Sequence, residues 1–151
     1  MAILTITAAS PVAQWWHRQR VQAALSQLEA HLALARAAAI SRGRRTALTP
    51  LEGRWDQGWR LHLDSNSNGR WDEGEEILAW HELPPDLLVR VNGVMQRYVL
   101  FDPSGRPVQA HGAFLAGTFT ICAPSSGASM QLVMSATGRV RQERADRSGC
   151  D

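Results

Sequence analysis

Residues 64–75 carry oxygen-bearing side chains at the spacing that calcium-binding EF-hand loops use. The sequence of this segment, DSNSNGRWDEGE, has glycine at position 6 and oxygen side chains at positions 1, 3, 5, 9 and 12. Calcium takes about six to eight hard oxygen ligands, and this spacing can fold them around one point. The candidate ligands are Asp64, Asn66, Asn68, Asp72 and Glu75.

An ordinary turn accounts for the same segment. The residues on either side have the pattern of strands, whereas an EF-hand loop lies between two helices. Only Asp64, Asp72 and Glu75 are charged among the candidate ligands, and Asn-Gly sequences are common in hairpin turns. We therefore expect a solvated β-turn and no cofactor, with calcium as the alternative.

The C-terminal residues form a second candidate site, since they contain four of the sixteen basic residues, all of which are arginine. On a strand, Arg139 and Arg141 would project from one face about 6.6–7 Å apart, where both can contact a phosphate backbone. Arg144 and Arg147 extend the group, although Glu143 and a further acid dilute its charge. The alternative is a charged strand edge that discourages aggregation of the sheet.

The two cysteines, Cys122 and Cys150, lack the CxxC spacing of a redox dithiol and the nearby histidines of a zinc site. In an oxidising compartment, a disulfide between them would close the last ~30 residues and contribute roughly 3–4 kcal/mol in the chain-entropy model. In a cytosolic protein they would be two free buried thiols. We expect the disulfide, with the two free thiols as the alternative.

Catalysis finds no support in the sequence. It contains no GxSxG or HExxH motif, and a phosphate-binding loop would need lysine, which is missing. The five histidines are scattered along the chain. We therefore expect a binding or structural protein rather than an enzyme, and 151 residues suffice for one globular core.

A long helix should precede both candidate sites. Residues 12–41 have apolar side chains at steps of three and four, and they are rich in alanine. We expect the helix to end near Gly43, with Arg42, Arg44 and Arg45 around its negative end. These three arginines and Arg36 form a second basic group, for which helix capping is a sufficient explanation and an auxiliary contact to a phosphate backbone is the alternative.

The residues before this helix are apolar. Residues 2–9 form a short run, well below the ~20 residues of a membrane-spanning helix, and we expect them to be the end of a longer hydrophobic segment. Trp15 and Trp16 follow this run, where tryptophan is typical of a membrane interface.

Short β-like runs separated by turn residues fill the rest of the chain. The predicted strands are 46–51, 59–63, 76–82, 87–91, 97–101, 117–122, 130–135 and 139–143. Asn92 and Gly93 between two apolar runs predict a hairpin. One long helix followed only by strands indicates an α+β fold in which antiparallel sheet packs on the helix.

Six segments, taken in order, resemble the GspH/FimT family of type IV minor pilins and type II secretion pseudopilins, and most of all its FimT and FimU minor pilins. They are residues 2–25, 33–50, 58–78, 99–107, 117–122 and 132–141. The first resembles the lower half of a pilin helix, and the last resembles the closing strands with their Gly-Arg-x-Arg element. Together the segments cover nearly the whole chain.

The resemblance implies a type IV pilin-like architecture. Residues 1–43 would be the N-terminal pilin helix with part of its membrane anchor, and residues 44–151 would be a β-rich globular domain. The protein would span the inner membrane once, with this domain in the periplasm, and would join a pilus at the cell surface. The family's leader and peptidase cleavage site are not in this sequence, so processing and anchoring follow from the resemblance.

The resemblance also implies a function. Within FimT-like proteins the Gly-Arg-x-Arg element is associated with binding DNA during natural transformation, which would make Arg139, Arg141, Arg144 and Arg147 contacts to double-stranded DNA. Other minor pilins or pseudopilins would bind through the helix. The alternatives are a GspH-type pseudopilin of a type II secretion system and a structural module of the pilus tip that does not bind DNA.

Overall fold

The computed structural model describes residues 10–145. Its helix α1 spans Pro11–Arg42. Ser10 caps the N-terminus by accepting a hydrogen bond from the Ala13 N–H, and Pro11 occupies the first turn, where no backbone donor is needed. Gly43 ends the helix in the left-handed conformation, with φ of 62°. The predicted helix and its terminating glycine are confirmed.

Nine strands follow the helix in the described part of the chain. They are β1 Thr46–Pro50, β2 Gly58–Leu63, β3 Ile77–Glu82, β4 Leu88–Val91, β5 Val99–Phe101, β6 Pro107–Val108, β7 Gly117–Ala123, β8 Ala128–Met134 and β9 Val140–Arg144. Three short 3₁₀ turns, Leu51–Gly53, Trp55–Gln57 and Gly93–Gln96, connect them. All strand pairs are antiparallel, in a first sheet of order β3-β2-β1-β5-β6 and a second of order β4-β7-β8-β9.

One face of α1 packs against both sheets and forms the main core. The buried helix side chains recur at three- and four-residue steps, as an amphipathic helix requires. They are Val21, Ala24, Leu25, Leu28, His31, Leu32, Ala35 and Ala39. Thr46 fixes the helix to the first sheet, since its buried hydroxyl donates a 2.7 Å hydrogen bond to the Ala35 carbonyl. The predicted α+β fold with helix on antiparallel sheet is therefore confirmed.

The predicted hairpin at Asn92 and Gly93 is wrong. β4 pairs with β7 in the second sheet, whereas β5 pairs with β1 in the first, so the chain crosses between sheets at this point. Asn92 is tied to β7 instead, because its side-chain oxygen accepts a 2.8 Å hydrogen bond from the Thr118 N–H. Strand β6 was not predicted, because two residues are too short to show a pattern.

A smaller cluster lies on the outer face of the first sheet, away from α1. Ala47, Tyr98, Leu100 and Val108 are its buried members. Side chains of a strand alternate between the two faces, so β1 and β5 contribute to this cluster and to the main core in turn. The cluster supports the β2–β3 connection, which folds over Tyr98.

Candidate functional site

The β2–β3 connection contains the predicted calcium ligands, and the structure brings them together. Asp64 is only 2% exposed, and its two carboxylate oxygens accept hydrogen bonds from the N–H groups of Asn68 and Gly69, each 3.1 Å long. Burial raises the pKa of Asp64, while these N–H donors act in the opposite direction. This carboxylate therefore organises the turn from inside.

Asp72 and Glu75 also accept hydrogen bonds within the loop. The side-chain amides of Asn66 and Asn68 each donate a 2.8 Å bond to one Asp72 oxygen, which lowers the pKa of Asp72. Glu75 accepts from the N–H groups of Ser65, at 2.9 Å, and Asp72, at 3.1 Å. The carboxylate oxygens of the motif thus serve as acceptors for the loop's own donors.

Buried His62 completes this arrangement from β2. Its Nδ1 lies 3.0 Å from a Glu75 oxygen, and burial lowers the pKa of the imidazole in spite of the nearby carboxylates. Within residues 10–145, no three His, Cys, Asp or Glu side chains converge as a group that could hold a metal ion. Calcium binding at this loop stays a hypothesis.

Gly69 has a packing role in the loop that its place in the calcium motif does not require. Its φ is +70°, and a Cβ at this position would lie 2.8 Å from the Tyr98 ring. The loop therefore lies flat on Tyr98, and only glycine combines this backbone conformation with so close an approach. The sequence predicted a solvated turn, but Asp64 and Gly69 are buried because the turn folds back onto the sheet.

Arg139 and Arg141 lie at the β9 edge of the second sheet. Arg139 precedes the strand directly, and its N–H donates a 3.2 Å hydrogen bond to the Ser135 hydroxyl. Both arginines are exposed, and their spacing places them on one strand face, opposite the face that turns Val140 toward the core. Arg141 forms a 2.5 Å ion pair with Glu143, whereas no described residue forms one with Arg139.

Arg144 belongs to the other face of β9. It shares that face with Gln142, which hydrogen-bonds to Gln22 and Glu29 on α1. Arg144 itself lines a groove between α1 and the second sheet. The structure therefore separates Arg144 from Arg139 and Arg141, and Arg147 lies outside the described residues.

Of the two cysteines in the predicted disulfide, only Cys122 lies among the described residues. Cys122 is buried in the middle of the second sheet, where β7 pairs with both β4 and β8. Cys150 lies outside the described residues, so the pairing of the two cysteines stays a prediction.

Two arginines of the basic group at the end of α1 form polar contacts with residues outside the helix. Arg42 forms a 3.2 Å ion pair with Glu76, and the Arg45 guanidinium donates a 3.0 Å hydrogen bond to the Ala110 carbonyl. These contacts join the helix end to the first sheet and its loops. Arg44 is exposed. The two engaged arginines therefore have a structural role, but their partners lie outside the helix, so helix capping stays a prediction.

A groove on the outer face of the first sheet was not predicted from the sequence. It has a volume of about 640 Å³ and is lined by Arg60, Arg70 and Arg97 together with Trp71 and Tyr98. The Arg60 guanidinium stacks on the Trp71 ring at 4.1 Å from its centroid. These residues come from β2, the β2–β3 loop and the segment before β5, so no local motif could have revealed them.

A long helix packed across two antiparallel sheets defines this protein as a pilin-like α+β subunit. The chain belongs to the GspH family, since the family model described as Type II transport protein GspH matches residues 24–138. It is therefore a minor pilin or pseudopilin of a type IV pilus or a type II secretion system. The family is one of periplasmic pilus or pseudopilus components, and its members assemble with other pilins or pseudopilins.

Solved structures share this fold. The type IV minor pilin FimU of Pseudomonas aeruginosa is 23% identical, with a TM-score of 0.60 over 84% of this chain and 94% of that one. The minor pseudopilin EpsH of the Type 2 Secretion System of Vibrio cholerae is 12% identical, with a TM-score of 0.61 over 83% of this chain and 97% of that one. No curated protein sequence matches the chain significantly.

Within residues 10–145, no helix is both long enough and apolar enough to cross a bilayer.

Proposed function

We propose that the protein is a FimT-like minor pilin of a type IV pilus that binds double-stranded DNA during natural transformation and has no enzymatic activity. The observation that carries this proposal is a pair of exposed arginines, Arg141 on the edge strand β9 and Arg139 directly before it, whose spacing places them on one face. Guanidinium groups stay charged and bind phosphate oxygens in a bidentate way. An exposed strand edge leaves room for a duplex to approach.

The two arginines contribute unequally in this proposal. Arg139 has no ion-pair partner among the described residues and contacts phosphate directly, whereas Arg141 must exchange Glu143 for a phosphate. Exposed ion pairs contribute only about 0.2–1 kcal/mol, so this exchange costs little. Few contacts of this kind give weak binding without sequence preference.

The helix supplies the assembly surface. Val12, Trp15 and Trp16 are 73%, 56% and 58% exposed at its beginning, which is unusual for three large apolar side chains within two turns. We place them against the helices of other pilins or at the membrane interface, where tryptophan is favoured. A segment before the helix holds the subunit in the inner membrane, with the β-domain in the periplasm, until the subunit enters the pilus.

A GspH-type pseudopilin is the second candidate. It is supported by the description of the matching family model, Type II transport protein GspH, and by the fold shared with the EpsH pseudopilin. The Arg141–Glu143 ion pair favours this candidate, or a tip module without DNA binding, because it reduces the positive charge of β9.

A chromosomal replacement separates these functions. The double variant Arg139→Ala/Arg141→Ala should still be incorporated into pili but should lower transformation frequency at least tenfold. Arg42→Ala/Arg44→Ala is the matched control and should transform normally. Normal transformation by the Arg139→Ala/Arg141→Ala strain would contradict the proposal, and a secretion defect on deletion of the whole gene would favour the pseudopilin.

A further inference from the structure

The groove on the outer face of the first sheet gathers three arginines but only one carboxylate among its lining residues. Arg60, Arg70 and Arg97 all line it, and no carboxylate in residues 10–145 forms an ion pair with any of them. Glu52 is the one acidic residue among the lining side chains. Three permanently charged groups that share a concave surface repel one another, and an anionic ligand would relieve that repulsion.

The same groove offers a flat surface beside these charges. The indole of Trp71 is 36% exposed, and the Arg60 guanidinium lies over it at 4.1 Å from the ring centroid. The stack with Arg60 fixes the plane of the ring. Aromatic rings and guanidinium planes are the surfaces on which unpaired nucleic-acid bases stack.

Tyr98 gives the groove a rigid floor. Gly69 of the β2–β3 loop packs on one side of its ring, and its hydroxyl accepts a 2.9 Å hydrogen bond from the Ala110 N–H. Gln96 lines the groove with a side-chain amide that can donate to and accept from base edges, whereas the amides of Asn68 and Gln109 already donate to Asp72 and to the Phe114 carbonyl. The volume of about 640 Å³ is typical of sites for compact ligands.

We propose that this groove binds a short single-stranded segment of nucleic acid. Its phosphates lie on Arg60, Arg70 and Arg97, and one of its bases stacks at Trp71. A duplex does not fit this role, because its bases are already stacked on one another and cannot reach Trp71. An acidic peptide would satisfy the arginines but would leave the stacking surface unused.

This site is separate from the proposed duplex contact at Arg139 and Arg141, which belong to the second sheet. The groove site therefore goes beyond the proposed function, and either proposal can be wrong while the other is right. To keep them apart, binding is measured in the Arg139→Ala/Arg141→Ala background. The probe is a fluorescently labelled twelve-nucleotide oligothymidylate, followed by anisotropy with the full chain at several salt concentrations.

The background protein should bind this strand with a slope of log affinity against log salt of about −2, since three phosphate contacts contribute about 0.7 each. Adding Arg70→Ala and Arg97→Ala should weaken binding at least tenfold and reduce the slope to about −0.7. Trp71→Ala should weaken binding about tenfold through lost stacking. Arg54→Ala/Arg106→Ala removes two exposed arginines outside the groove and should change affinity less than twofold.

Two further probes test the ligand class. An abasic strand of equal length keeps the phosphates but not the bases, and it should bind at least tenfold more weakly than oligothymidylate. Polyglutamate of equal charge should also bind at least tenfold more weakly. Equal affinity for polyglutamate would overturn the assignment in favour of an acidic protein segment, and unchanged binding by the Arg70→Ala/Arg97→Ala protein would overturn the site. Melting temperatures within about two degrees of the parent establish that each variant is folded.

Discussion

The indole Nε1 of Trp59 on β2 donates a 2.9 Å hydrogen bond to Nδ1 of His31 on α1, inside the core. Nδ1 must be unprotonated to accept this bond, so His31 is held in one neutral tautomer. The His81 ring lies 4.9 Å from the Trp59 ring and 6.4 Å from that of His31. A proton on His31 would break the bond between helix and sheet.

This relationship predicts that mild acid destabilises the protein. Burial lowers the pKa of His31, His62 and His81, and the positive charge that His81 would carry lowers that of His31 further. Below the unfolded value of about 6.5, the unfolded chain therefore binds protons that the folded chain does not. Stability is fully present above pH 6.5 and decreases as the pH falls from there.

Urea unfolding at pH 7.5 and at pH 5.5 measures this loss. Each histidine contributes at most about 1.4 kcal/mol per pH unit. The pKa values of Asp72 and Asp102 are also lowered. These two carboxylates affect stability only at lower pH, near and below their ordinary pKa of 3.8. His31→Gln should reduce the difference between the two pH values, and His111→Gln, at an exposed site, should not. Equal stability of the parent protein at both pH values would contradict the conclusion that burial keeps these histidines neutral in the folded protein.

Gly69→Ala should destabilise the fold more than the same change at Gly93. Both glycines have positive φ, +70° and +60°, so alanine is strained at either position by roughly 1–2 kcal/mol. Only at Gly69 would the new methyl group also meet the Tyr98 ring, which adds roughly 1–3 kcal/mol of overpacking. Chemical denaturation of both variants tests this difference, and equal losses would mean that the loop does not rest on Tyr98.

Calcium should not raise the melting temperature. A ligand of the native state stabilises it by mass action, but the carboxylates of Asp64, Asp72 and Glu75 already accept hydrogen bonds from within the loop. We expect less than about one degree of change at millimolar calcium. A larger rise that Asp64→Ala abolishes would instead establish the loop as a calcium site.

Cys122 and Cys150 should form a disulfide in the protein isolated from an oxidising compartment. Intact mass under non-reducing conditions should then be two hydrogens below the reduced value, and reduction should lower the melting temperature. The chain-entropy model assigns the bond roughly 3–4 kcal/mol. Two titratable thiols in native, air-exposed protein would contradict the pairing.

Local patterns predicted the elements well but not how distant elements meet. The helix from Pro11 to Arg42 follows from its apolar spacing and from Gly43, both of which act within a few residues. The hairpin at Asn92 failed because pairing with β7 outweighs a local turn signal. The basic groove escaped prediction because Arg60, Arg70 and Arg97 meet only after the loop has folded onto Tyr98.

A salt-dependent titration with double-stranded DNA tests the central claim most directly. The parent protein should bind with a dissociation constant of about 10⁻⁴–10⁻⁶ M and no sequence preference, and the slope of log affinity against log salt should be about −2, since two phosphate contacts contribute about 0.9 each. Arg42→Ala/Arg44→Ala is the matched control, because it too removes one ion-paired and one unpaired exposed arginine, as judged among residues 10–145. Arg139→Ala/Arg141→Ala should abolish most of the binding and leave the melting temperature unchanged, whereas the control pair should change affinity less than twofold. Unchanged affinity in the Arg139→Ala/Arg141→Ala protein would contradict the assignment of β9 as the DNA-binding strand.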